Sequence, residues 1–166
     1  VFLEPGDLVV CENPTYLAAL TVFRSYECGL LPIETDDDGM VPEDLERKLA
    51  ANPKARLMYI IPSFQNPTGR TWSLERRRKI LEIAQRYELP ILEDNPYGEL
   101  RYEGETIPTL KSMDTAGVVT YMGSFSKVLS RGIRLGWMLA SRELIEKYES
   151  AKECADLQAS TLTQMV

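Results

Sequence analysis

Val118-Val-Thr-Tyr-Met-Gly123-Ser-Phe-Ser-Lys127, followed closely by Arg131-Gly-Ile-Arg134, is the stretch on which the reading of this chain turns. Val118–Met122 is short, apolar and β-branched at its start, the pattern of a buried strand. The lysine comes just after that strand would end. A lysine at the mouth of a buried strand loses hydration, which favours its neutral amine, and a neutral amine can attack a carbonyl to form a Schiff base. Lys127 is therefore the first candidate for covalent chemistry.

Working outward, two more apolar runs lead into polar loops. Leu57–Ile61 runs into Pro62-Ser-Phe-Gln-Asn66-Pro-Thr-Gly69, and Leu89–Glu93 into Asp94-Asn-Pro-Tyr97. Further strand-length runs lie at Leu8–Cys11, Gly29–Ile33 and Leu135–Ala140. Helical patterns fill most of the gaps, at Tyr16–Tyr26, Pro42–Ala51, Ser73–Tyr87 and from Arg142 to the end of the chain without a stop signal. Pro42 suits a first helical turn, Ser73 suits an N-cap, and Asp36-Asp-Asp-Gly39 reads as a short acidic turn. This alternation predicts an α/β fold, a three-layer α/β/α arrangement around a mostly parallel sheet. Ligands of open α/β sheets gather outside the carboxyl ends of the strands, so the three polar loops are expected to meet at one crevice.

Composition narrows the chemistry. With 166 residues, 44% hydrophobic and 27% charged, the chain reads as one compact domain. A net charge of -6 argues against a nucleic-acid partner, which draws on clustered excess Lys and Arg. The one basic run, Glu75-Arg-Arg-Arg-Lys79, alternates with apolar positions and reads as a solvated helix face. No apolar stretch long enough for a membrane span and no signal-peptide pattern is present. Cys11, Cys28 and Cys154 share no metal-like or CxxC spacing and read as reduced, structural thiols of a cytoplasmic protein. The chain contains no histidine, so Ser-His-Asp triads, Cys-His pairs and HExxH zinc sites cannot be built, and no metal site is expected. Lysine, tyrosine, carboxylates and an organic cofactor remain.

The order Asn-Pro-Thr-Gly, then Asp-x-x-Tyr after a strand, then Ser-x-Ser-Lys after another, then arginine, resembles the fold-type I, pyridoxal-phosphate-dependent aminotransferases of class I/II. The resemblance covers nearly the whole chain, as part of the large cofactor-binding domain. It implies that Lys127 carries pyridoxal 5'-phosphate as a Schiff base and shuttles a proton, and that Asp94 pairs with the pyridine nitrogen. Asn66 and Tyr97 would hydrogen-bond the phenolic oxygen, and Tyr16, in Asn13-Pro-Thr-Tyr16, would stack on the ring. Ser124 and Arg134 would hold the phosphate, with Ser126 assisting. Arg131 stands where the family frequently has proline, and is a rival for the phosphate. Glu93 adjoins Asp94, but strand alternation sends it to the opposite face.

By the same resemblance the protein transfers an amino group between an L-amino acid and a 2-oxo acid. It would do so as a cytoplasmic homodimer, in amino acid metabolism and biosynthesis. Both ends read as cut: the chain opens without methionine on a turn at Pro5-Gly6 and finishes inside a helical pattern. The family's N-terminal arm and phosphate loop and its C-terminal small domain are thus expected outside this sequence. This stretch alone is expected to bind cofactor weakly and transaminate poorly or not at all. Two alternatives stand beside this reading: a pyridoxal-phosphate lyase on the same fold, and the cofactor-sensing domain of a winged-helix transcription regulator.

Overall fold

A computed structural model describes residues 1–165. Six strands form the main sheet: β1 (Leu8–Glu12), β2 (Gly29–Ile33), β5 (Ala55–Ile60), β6 (Ile91–Asp94), β7 (Val119–Ser124) and β8 (Gly136–Leu139). Their spatial order is β2-β1-β5-β6-β7-β8, parallel throughout except that β8 runs antiparallel to β7. The exception has a simple cause. A parallel return needs a crossover of a dozen or more residues, and between β7 and β8 the chain only turns back on itself, through the one-turn helix α5 (Phe125–Val128) and a 3-10 turn at Arg131–Ile133. A small hairpin, β3 (Thr35–Asp36) and β4 (Gly39–Met40), stands apart from the main sheet.

Strand alternation splits the apolar side chains between two faces. Val10, Met58, Ile60, Ile91 and Val119 pack against α2 (Pro42–Ala51) and α3 (Leu74–Arg86) through Leu45, Leu49, Ile80 and Ala84. Val9, Leu57 and Tyr59 face the other way and meet Phe23 of α1 (Leu17–Ser25). The edge-on contact of Phe2 with Tyr148 brings α6 (Arg142–Asp156) to the molecule as well. A side chain such as Ile60, fully buried here, stabilises the fold by about 1.5–3 kcal/mol. The three-layer α/β/α expectation is met.

Local signals also hold. Pro42 opens α2, and the Ser73 hydroxyl accepts a hydrogen bond from Arg76 N at 3.1 Å to cap α3. The acidic turn is the β3–β4 hairpin, where Arg76 and Arg70 pair with Asp36 and Asp37. Gly39 has φ +95° there, and a Cβ would run into the Trp72 indole, so glycine is required twice over.

Four expectations fail. Arg77, placed on a solvated face, is fully buried and spends its guanidinium on Trp72 O, Pro62 O, Pro108 O and Ser63 Oγ. Helical periodicity explains it: Arg77, Ile80, Leu81 and Ala84 share the face that packs on the sheet. The last helix does not run to the end either. It stops at Asp156, where Leu157 adopts φ 64°, and a separate turn of helix, α7 (Thr161–Gln164), starts from a Ser160 cap. Cys154 is exposed, so it is not a core thiol like Cys11 and Cys28. Lys127 is exposed, as developed below. Among the described residues no helix is long and apolar enough to cross a membrane.

Candidate active site

The carboxyl ends of β5, β6 and β7 point the same way because the three strands are parallel neighbours. The loops that leave them enclose a cavity of about 390 Å³. Asn66 enters from the β5 loop, Asp94 and Tyr97 from the end of β6, and Ser124, Ser126 and Lys127 from the end of β7. Tyr16, Arg131 and Arg134 complete the lining. Every residue to which the resemblance gives a cofactor role therefore lines a single cavity.

Asp94 is the anionic member. It receives a hydrogen bond from Tyr59 OH at 2.6 Å. Burial pushes its carboxyl above the usual carboxylate range, and the Tyr59 hydroxyl pulls in the opposite direction. Tyr59 pays in turn: burial and the neighbouring carboxylate drive its phenol far above the ordinary value, so it remains a donor. A cation placed beside Asp94 would bring the carboxyl back down. Glu93, its neighbour, points to the other face as alternation requires, and accepts from Leu110 N and Lys111 N of the short helix α4 (Leu110–Met113) at 2.9 and 2.8 Å.

Asn66 Nδ2 lies 3.5 Å from Tyr97 OH, a long contact that leaves both groups capacity for a stronger partner. Lys127 Nζ stands 5.9 Å from the centre of the Tyr97 ring. Ser124 Oγ accepts from Ser126 N at 3.1 Å, fixing the turn that carries the lysine. Arg134 sits in the left-handed region at φ 52°, with its guanidinium 3.5 Å from Arg131 O.

Lys127 departs from expectation in one respect. It is exposed, not stripped of water. The reason is positional: α5 stands beyond the end of β7, and the nearest aromatic cover, the Tyr97 ring, has its centre 5.9 Å from the amine. Sequence reasoning also missed Tyr59, which is reached from β5 through the core and carries no motif. It missed Glu12 as well, which ends β1 one residue past the Leu8–Cys11 run and carries no motif.

The donor set fits a small anionic aromatic aldehyde such as pyridoxal phosphate. It offers cations at Lys127, Arg131 and Arg134, one buried carboxylate, hydroxyls at Ser124 and Ser126, and an amide-phenol pair with hydrogen bonds to spare. A parallel sheet with lysine, carboxylate and arginine gathered at its carboxyl edge defines an α/β protein built to hold such a group. The family model for aminotransferase class I and II matches residues 1–165, and the chain belongs to that family.

Aromatic-amino-acid aminotransferase 1 of Thermococcus litoralis is 46% identical over 100% of this chain and 41% of its own length. The crystal structure of Pyrococcus horikoshii kynurenine aminotransferase, in complex with PMP, KYN as substrates and KYA as products, superimposes with a TM-score of 0.95. It is 46% identical, covering 98% of this chain and 41% of that one. The uncharacterized HTH-type transcriptional regulator YisV of Bacillus subtilis is 36% identical over 98% of this chain and 33% of its own length. The chain thus spans about two fifths of the length of the aminotransferases it matches.

Proposed function

We propose that the protein containing this chain is a pyridoxal-phosphate-dependent aminotransferase, moving an amino group between an L-amino acid and a 2-oxo acid. The observation that carries this reading is the meeting of Lys127 and Asp94 in one cavity at the carboxyl ends of parallel strands. When bound, the cofactor supplies a ring that accepts the electron pair left behind as the substrate α-proton departs. Lys127 Nζ would be the covalent anchor and the base that moves that proton at the α-carbon. The Asp94 carboxylate would hold a proton on the ring nitrogen, with Tyr59 OH keeping that carboxylate oriented and charged. Asn66 and Tyr97 would donate to the phenolic oxygen and lower its affinity for a proton. Tyr16 would cover a ring face, while Ser124, Ser126 and Arg134, with Arg131 as rival, would bind the phosphate.

The name of the Thermococcus relative supports aromatic amino acids as the first donors to assay. We place the chain within a larger cofactor-binding domain, in a cytoplasmic homodimer that serves amino acid biosynthesis without contacting nucleic acid. The net charge of -6 and the free cysteines support the partner and compartment readings. Exposed Leu17 and Val22 on α1, beside Tyr16, supply apolar surface for a partner subunit.

Borohydride reduction of the full-length protein with pyridoxal phosphate, followed by peptide mass analysis, tests the assignment. Label on the Lys127 peptide is expected, and label confined to another lysine sinks it. A second reading, a cofactor-sensing regulator domain, draws support from the likeness to YisV. Retention of Asn66 beside Tyr97 favours the enzyme. The gene upstream of Val1 discriminates, since a basic helix-turn-helix segment there would favour the regulator.

A further inference from the structure

The 62–72 loop that carries Asn66 is closed at its base by a group the proposed chemistry does not use. Glu12, at the end of β1, is 2% exposed. Its Oε2 accepts from Ile61 N at 3.0 Å, where the chain enters the loop, and its Oε1 accepts from Trp72 Nε1 at 3.1 Å, where the chain leaves it. Trp72 is fully buried, and its backbone N–H donates to Pro62 O at 2.9 Å. Inside the loop, Gln65 Oε1 accepts from Thr68 N and Oγ1, and Gln65 Nε2 reaches Pro14 O at 2.8 Å. One carboxylate thus ties both feet of the loop together, and Gln65 ties its middle to the segment that bears Tyr16.

Building on the function proposed above, we infer that Glu12 is a positioning residue that fixes the Asn66 amide against Tyr97 OH, and through it the proton affinity of the cofactor's phenolic oxygen. A buried carboxylate is costly unless each oxygen has a donor, and here each has one. That arrangement specifies one loop geometry, because displacing either foot strands a charge-bearing oxygen. The position has a chemical signature. Burial raises the Glu12 carboxyl to about 7, against the lowering effect of Ile61 N–H, Trp72 and Gln65. The titratable groups that feel it are Cys11 on its own strand and Tyr59 on β5, which is already bonded to Asp94. Both are pushed upward, Cys11 to about 11, so neither titrates in the window where Glu12 does.

The test uses the full-length holoenzyme and Glu12→Gln, which keeps shape but turns an N–H donor toward Ile61 N–H or Trp72 Nε1–H. The pH midpoint of the bound cofactor's visible absorption is expected to rise by about half to one unit. The kcat for transamination should fall by about tenfold, with KM for the amino donor changing less. Independently of cofactor, the Trp72 indole N–H resonance of the wild-type apoprotein, assigned by its loss in Trp72→Phe, should titrate with a midpoint near 7, and Glu12→Gln should abolish that titration. A variant that loses thermal stability while keeping absorption midpoint and kcat unchanged overturns the inference and leaves Glu12 purely structural. If Glu12→Gln does not fold, Trp72→Phe carries the test: the midpoint must move the same way by a smaller amount, and no movement overturns it. Trp72 titration without any cofactor absorption band would instead sink the proposed function, and the positioning role with it.

Discussion

Two loops flank the cavity and are built in opposite ways. The 62–72 loop is tethered from beneath by buried groups: Glu12 at its feet, Gln65 at its middle, and the Arg77 guanidinium on Pro62 O, Ser63 Oγ and Trp72 O. The 124–134 turn is held mainly by its own backbone and hydroxyls, with Ser124 capping Ser126 N, Ser130 capping Gly132 N, and Phe125 N reaching Leu135 O. None of its short helical segments has a buried residue, and all of β8 is exposed. The contrast teaches where rigidity comes from. Asn66 sits on a loop tied to the core, whereas Lys127 stands on an exposed surface turn. Mutations in the first loop should act through stability and geometry, and those in the second through chemistry.

Lys127→Ala in the full-length protein should give the sharpest break, lowering kcat/KM on the order of a thousandfold or more while leaving thermal unfolding almost unmoved. A large loss of stability instead would erase the contrast. Asp94→Ala should come next, costing about 10²–10³ in kcat, measured under saturating cofactor. Beneath the tethered loop, on α3, Arg77→Met should cost about 3 kcal/mol of stability in denaturant titration, because it strands buried acceptors.

Tyr59→Phe is expected to lower kcat about tenfold. It should also move the acid limb of the pH–rate profile upward: the Asp94 carboxyl, already raised by burial, loses the hydroxyl that lowers it and therefore protonates at higher pH. An unshifted limb would mean that Asp94 does not need that hydroxyl. Smallest of all, Lys147→Ala removes an exposed helical pair with Glu143 and should change stability by less than about 0.5 kcal/mol in the same titration.

Periodicity and punctuation made the frame legible. Leu57–Ile61, Val118–Met122 and their fellows read as strands because they are short apolar runs bounded by turn-forming residues, and Ser73 and Pro42 announce helix starts by local chemistry. Arg77 defeats a local reading because charge is a local property and burial is not. Nothing within the run at residues 75–79 says that four oxygens from outside it will surround one guanidinium. Leu157 shows the same limit, since a leucine at positive φ carries no sequence signal of a helix end.

The sequence by itself determined the layered α/β frame and which lysine, aspartate, asparagine and arginine lie at strand ends, because both follow from short-range patterns of polarity. Only the tertiary structure decided that Tyr59 holds Asp94, that Glu12 clamps the Asn66 loop, and that Lys127 meets solvent. Those facts depend on parallel strands far apart in the chain lying side by side, and hydrogen bonds between such neighbours leave no trace in any local window of sequence.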